Sequence, residues 1–208
     1  MSRSIHRLLS SRAALAALLA FGVLAAGCAG TSAVVSDSRY DFGPPPQTAA
    51  AARLPAVKVL EVGAPAVLES DRLIYRLSYA DAQQTATYAN SHWTMMPSQL
   101  LTQRLRGAFG AHGTVLTGAD GVAAPVLRVD LTEFEQVFDS QTESHGAVGA
   151  RVTLTQNGKV VGQQTFAARA PARSADAAGG AQALAAASDD LVAQIVAWLG
   201  SQALAAAQ

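Results

Sequence analysis

The most constraining feature of this chain is a long run of alternating side chains with one turn dipeptide inside it. Over residues 126–134, Leu127, Val129 and Leu131 alternate with Arg128, Asp130 and Thr132. Over residues 147–156, Val148, Ala150, Val152 and Leu154 alternate with Gly149, Arg151, Thr153 and Thr155. Successive side chains of a strand point to opposite faces, so a period of two specifies a sheet with one apolar and one polar face. Asn157-Gly158 then supplies the positive-φ residues of a tight hairpin turn and joins the second run to residues 159–168. A sheet patterned in this way needs a cover for its apolar face.

Two helices are the expected cover. Pro97 suits the first turn of a helix, where its missing N–H has no partner in any case. Leu100, Leu101, Leu105, Ala108 and Phe109 follow at three- and four-residue steps and form one stripe, with Gln103, Arg104 and Arg106 read as lying largely outside it. Gly110 and Gly113 end the element. The second helix is expected over residues 181–198, with Leu184, Leu191, Ile195 and Trp198 on one face, after a loop at 170–180 rich in Ala, Pro and Gly. Further strands are expected at 54–62, ended by Ala64-Pro65, and at 114–117, which is short as an edge strand would be. Residues 73–91 read as a hairpin around a polar turn at 81–84. In it Leu73, Tyr75, Leu77 and Tyr79 face one way, and Ile74, Arg76 and Ser78 the other. The expected fold is α+β: a two-layer sandwich whose mostly antiparallel sheet of six or seven strands carries two helices on one face. It would occupy residues 53–199, with an alanine-rich tail at 200–208.

The N-terminus reads as an address. Arg3, His6, Arg7 and Arg12 precede an uncharged apolar run at 13–26. As a helix that run would rise about 21 Å, short of the ~30 Å hydrocarbon core of a bilayer. It suits a secretory signal peptide over residues 1–27 better than a permanent span. The signal ends Leu24-Ala25-Ala26-Gly27-Cys28, which resembles a bacterial lipobox with cleavage between Gly27 and Cys28. Cys28 is the single cysteine of the chain, so it forms no internal disulfide and is the expected site of lipidation. Each buried methylene contributes about 0.8 kcal/mol, and stable anchoring takes more than one acyl chain. The resemblance implies three chains on Cys28, and Ala29 in place of Asp at the following position suggests sorting to the outer membrane. Residues 28–52 then form the lipidated N-terminus and a tether, with a polyproline stretch at Pro44-Pro45-Pro46. A second reading makes Tyr40-Asp41-Phe42-Gly43 a recognition segment that docks on a partner or on the domain itself.

Composition narrows the function. The chain is 50% apolar, too apolar for a disordered one, and its 15 basic and 15 acidic residues give none of the basic excess of a nucleic-acid protein. Loss of residues 1–27 removes three arginines and no acid, leaving 12 basic residues (15 less 3) against 15 acidic ones. Anionic headgroups exert no pull on such a body, so the membrane contact is expected to be the lipid. His92, His112 and His145 fall in no metal-binding spacing, and no nucleophile elbow or phosphate-binding lysine loop is present. Neither a metal nor a cofactor beyond the covalent lipid is expected. Glu133 and Glu135, two apart on a strand, could do acid–base work as a carboxylate pair, and Asp139 and Glu143 are near in sequence too; a solvated face near a strand end explains them as well.

Several phrases, in their order and spacing, carry a family resemblance. They are Leu73-Ile74-Tyr75-Arg76-Leu77, then Tyr88-Ala89-Asn90-Ser91-His92-Trp93, then Pro97 with Leu100-Leu101 and Leu105. After them come Phe134-Glu135-Gln136-Val137-Phe138-Asp139 with Ser144, then Arg151-Val152-Thr153-Leu154, and finally Asp176-Ala177-Ala178-Gly179 with Trp198. Together, over roughly residues 39–199, they resemble the ABC-type transport auxiliary lipoproteins, a family that includes the paraquat-inducible protein C type. The resemblance implies a lipoprotein facing the periplasm; with the missing catalytic motifs and Ala29, the expectation is a non-catalytic one at the outer membrane. It would work beside an ABC or mammalian-cell-entry (MCE) type system, with its permease and ATPase, that moves lipids or other apolar solutes.

Tyr75, Arg76, Tyr88, Trp93, Gln136 and Phe138 are the expected partner-binding residues. Half-wet aromatic rings suit an interface, although the core of a small sheet accounts for them too. Arg76 would pair with a partner or with an internal acid such as Asp81. Short edge strands would support a homo-oligomer. The alternatives are a lipid carrier with its own apolar pocket, which an alanine-rich helix lying close on the sheet argues against, and a cell-envelope hydrolase, which lacks a nucleophile–base pair.

Overall fold

The computed structural model describes residues 36–46 and 53–202. The signal peptide, Cys28 and the tail beyond residue 202 lie outside the described residues. Three long strands form the spine: β6 (Val126–Phe138), β7 (Ser144–Gln156) and β8 (Lys159–Pro171). They pair antiparallel in sequence, and Asn157 (φ 51°) and Gly158 (φ 74°) make the turn between the last two. The preceding strands are β1 (Ser38–Tyr40), β2 (Val57–Val59), β3 (Arg72–Leu77), β4 (Thr85–Trp93) and β5 (Val115–Leu116). Among the described residues all eight join one open sheet, and α1 (Pro97–Gly110) and α2 (Ala177–Gly200) pack against it. The architecture is the expected α+β sandwich, with eight strands where six or seven are expected, because Ser38–Tyr40 joins the sheet.

Strand β6 organises the sheet. One of its edges carries β7 along its whole length. Its other edge is shared by two short parallel strands: β2 pairs with Val126 and Leu127, and β3 pairs with Gln136, Val137 and Phe138. Gly63 bridges to Asp130 between them, where a Cβ would lie 2.7 Å from the Asp130 carboxylate. Beyond β3 the sheet continues through antiparallel β4 to parallel β1, and beyond β2 it ends at β5.

A bulge divides β6. Leu131 pairs with Ala150, but Glu133 pairs with Gly149, so two residues of β6 span one step of β7. One extra residue exchanges the faces of everything that follows it. Before the bulge the inward set is Leu127, Val129 and Leu131; after it the inward set is Phe134, Gln136 and Phe138. The alternation therefore runs four residues past Phe134, the end expected from the sequence.

The segment read as tether contributes to the body. Ser38–Tyr40 is strand β1, and Phe42 is buried against Trp93 (centroids 5.8 Å apart) and Phe134 (6.0 Å). Helix α2 also begins earlier than expected, at Ala177 rather than 181, because Asp176 caps it by accepting a 2.8 Å bond from the Gly179 N–H. Gly179 and Gly180 mark close packing here rather than a loop. A Cβ on Gly180 would sit 2.0 Å from Gln136 Oε1, and one on Gly146 would sit 2.5 Å from the Leu184 nitrogen. By length and composition α2 could cross a membrane, yet Leu184, Ala187, Leu191 and Ile195 are fully buried on the sheet. Each leucine or isoleucine so buried contributes roughly 1.5–3 kcal/mol, so α2 is a core helix of this sandwich.

Candidate partner-docking site

The second half of β6 gathers most of the expected site residues. Parallel pairing sets Tyr75 beside Gln136 and Leu77 beside Phe138, while β4 places Ala86 on the other side of Tyr75. The Tyr75 ring lies 4.8 Å from that of Tyr88 and 6.0 Å from that of Phe138. Tyr88 donates its hydroxyl to Gln136 Oε1 (2.9 Å), and Gln136 Nε2 donates to Ser144 Oγ (2.8 Å). Gln136 is wholly buried, so these bonds satisfy an amide that would otherwise be costly to hold there. Burial, with the nearby Tyr75 and Asp176, pushes the Tyr88 hydroxyl up to about 12, which keeps it a donor.

Arg76 stands on the adjoining position of β3. Its Nε and Nη2 donate to Glu135 Oε1 and Oε2 (2.7 and 3.0 Å), and Nη1 donates to the Ala82 carbonyl (2.7 Å). The Glu135 hydrogen bond raises the Arg76 pKa further, so the guanidinium is permanently charged. The partner is thus Glu135 and not Asp81, which instead accepts from the Gln83 backbone N–H within the hairpin turn. Glu133 and Glu135 do not act as a free pair, because the fork of Arg76 holds both oxygens of Glu135.

Trp93 lies apart from the other five, in the interior. It is fully buried between Phe42 and Phe134 and offers no surface to a partner. Gln136 likewise exposes nothing and Phe138 almost nothing; both position the tyrosines from behind. The accessible part of the site is Tyr75 and Tyr88, half-buried, together with Leu77 and Tyr79, which are 36% and 46% exposed. Tyr75, Leu77, Ala80 and Ala86 border a small groove of 110 Å³ beside them.

His145 Nδ1 lies 2.7 Å from Asp139, while its Nε2 is enclosed and has no partner. His92 sits between Asp37 (3.4 Å) and Asp71 (3.7 Å). Among the described residues no three His, Cys, Asp or Glu side chains are grouped to hold a metal ion.

Sequence reading missed a second polar device. Arg104 is buried within α1; its Nη2 donates to the carbonyls of Phe42 and Gly43 (2.5 and 3.0 Å), and its Nε lies 3.1 Å from Asp189. Its guanidinium also stands over the Phe42 ring at 5.7 Å. Burial raises the pKa of Asp189 and outweighs the opposing pull of Arg104. Arg104 thereby ties α1 to α2 and clamps the 41–43 segment over both. Its place at i+4 from Leu100 and i+3 from Leu101 already put it on the buried face.

Comparison with known proteins agrees with this fold. A structure of a Xanthomonas campestris protein of the DUF330 family is similar with a TM-score of 0.63 at 20% identity, over 77% of this chain and 90% of that one. A second structure, of an uncharacterized protein, has a TM-score of 0.62 at 17% identity, over 79% of this chain and 99% of the other. No curated protein sequence matches the chain. The family model for ABC-type transport auxiliary lipoprotein components matches residues 40–196, from the end of β1 nearly to the end of α2. The chain belongs to the ABC-type transport auxiliary lipoprotein components.

Proposed function

We propose that this protein is a non-catalytic docking component of an envelope transporter, held by acyl chains on Cys28 at the outer membrane with its body in the periplasm. The partner is a protein of the transport assembly, of the ABC permease or MCE type, and the cargo is a lipid or another apolar solute. The observation that carries the docking reading is the row of half-buried Tyr75 with exposed Leu77 and Tyr79, backed by the buried Gln136 network and the Arg76–Glu135 fork. Rings that stand half-wet on a rigid support bring large contact area with little ordering cost. The Arg76 fork is already closed, so a partner meets a finished surface rather than a free charge.

The anchor is tested by Cys28→Ser. The expected result is a protein that no longer fractionates with outer membranes and no longer supports transport in cells. Undiminished membrane fractionation and transport would refute the reading.

A further inference from the structure

An apolar cavity opens between the two helices. Pro45, Pro46, Ala108, Val192, Val196 and Ala197 are among the walls of a groove of 380 Å³. It begins at the Arg104–Asp189 pair. The helices run the same way, because Leu54 joins the His112 carbonyl at the end of α1 and also lies beside Gly200 at the end of α2. From Arg104 to Ala111 the groove is about 10 Å long.

At its far end stands His112. The residue is only 8% exposed, and its Nδ1 is enclosed without a hydrogen-bond partner among the described residues. His112 is also a wall of a second, more polar cavity of 540 Å³, shared with Arg53 and Thr114. No described residue pairs with the Arg53 guanidinium. The apolar trough and the cavity holding Arg53 thus share Ala111 and His112 as walls. The opposite end is closed to anions by the Asp189 carboxylate, whose neighbour Arg104 is already committed to the Phe42 and Gly43 carbonyls.

From this we infer that the groove binds a single-chain carboxylate amphiphile, a free fatty acid. Its alkyl chain lies between α1 and α2, and its carboxylate lies between His112 and Arg53. A carboxylate gains an ion pair with Arg53 that a neutral lipid does not, and a volume of 380 Å³ suits one alkyl chain rather than two. The inference does not depend on the docking surface on β3, which lies elsewhere on the molecule.

The test uses the full-length protein in phosphatidylcholine nanodiscs, irradiated with a diazirine-bearing dodecanoic acid, followed by mapping of the labelled peptides. The label is expected on the peptides holding residues 104–112 and 189–197, and unlabelled dodecanoic acid should compete it away. Methyl dodecanoate should compete about tenfold more weakly, the worth of one hydrogen bond to a charged group. Arg53→Ala should erase that preference for the acid. Ala193→Trp, which fills the trough, should abolish labelling, while Ala193→Ser should retain it. Labelling outside the groove, labelling that survives Ala193→Trp, or equal competition by acid and ester would overturn the inference. So would an unlabelled groove, the result expected if the protein's own acyl chains fill it.

Discussion

The two halves of β6 bury their inner faces by different means. The first half presents Leu127, Val129 and Leu131, hydrocarbon throughout, each at most 1% exposed. The second half presents Phe134, Gln136 and Phe138, and its wholly buried amide must be bonded on both sides. A hydrocarbon face is non-directional and tolerates small adjustments. A buried amide fixes its neighbours, because each of its bonds requires an angle as well as a distance. The half with the buried amide is the one that Tyr75 and Tyr88 pack beside. Fixed geometry at the surface is thus obtained from a polar group in the core.

Deletions at the bulge probe this contrast most severely. Removing Asp130 misplaces side chains however the strand adjusts: with the bulge kept, Leu127 and Val129 turn to the polar face, and with the bulge closed, Leu131 turns outward and Thr132 inward. The expected outcome is loss of the cooperative thermal transition. Removing Thr132 instead leaves Leu131 and Glu133 opposite Ala150 and Gly149 with the inward sets unchanged. That variant should still unfold cooperatively in calorimetry. Equal damage from both deletions would contradict the division of β6 into two faces.

Smaller effects are expected within the second half. Gln136→Leu keeps the volume but strands the Tyr88 and Ser144 hydroxyls, at a cost of about 1–3 kcal/mol in denaturant unfolding. Because the Tyr88 pKa is raised from 10.0 to about 12, its share of stability is present below pH 10 and is lost as the pH rises toward 12. Tyr88→Phe should flatten that part of the stability profile. Asp176→Ala should cost about 1 kcal/mol through loss of the α2 cap. The Asp176 pKa is lowered, first by the Gly179 N–H and then by Ser174. The stabilisation it gives is therefore present above its unfolded pKa and is lost as the pH falls through the folded one. The variant should lose part of the wild-type decline in acid, measured as Tm against pH.

These contrasts also mark what could be read from the sequence. Period-two alternation with Asn157-Gly158, and the leucine stripe after Pro97, placed the spine of the sheet and α1, because local pattern and final burial agree there. The bulge was not legible, since Thr132 and Glu133 are both polar and the shift of face is visible only in the pairing with β7. Gly179 and Gly180 suggested a loop; their purpose, room for Ser174 and Gln136, exists only once the layers are packed. Strand β1 has three residues and gains its stability from the burial of Phe42, a contact between distant parts of the chain. At the site, Tyr75, Tyr88, Gln136 and Phe138 were named from their phrases and do converge. Trp93 belonged to the same phrases but packs the interior, and Glu135 rather than Asp81 holds Arg76 because the parallel β3–β6 register lies beyond sequence reading.

In the proposed function, the row of Tyr75, Leu77 and Tyr79 along and just beyond β3 meets a protein of the transport assembly. A photoreactive phenylalanine analogue at Tyr79, in the full-length protein in living cells, tests it directly. Irradiation followed by mass spectrometry should yield a discrete adduct with a component of an ABC or MCE-type transporter, and the same probe at Val160, on the far edge strand, should not. An adduct-free Tyr79 probe, or identical adducts from both positions, would contradict the account.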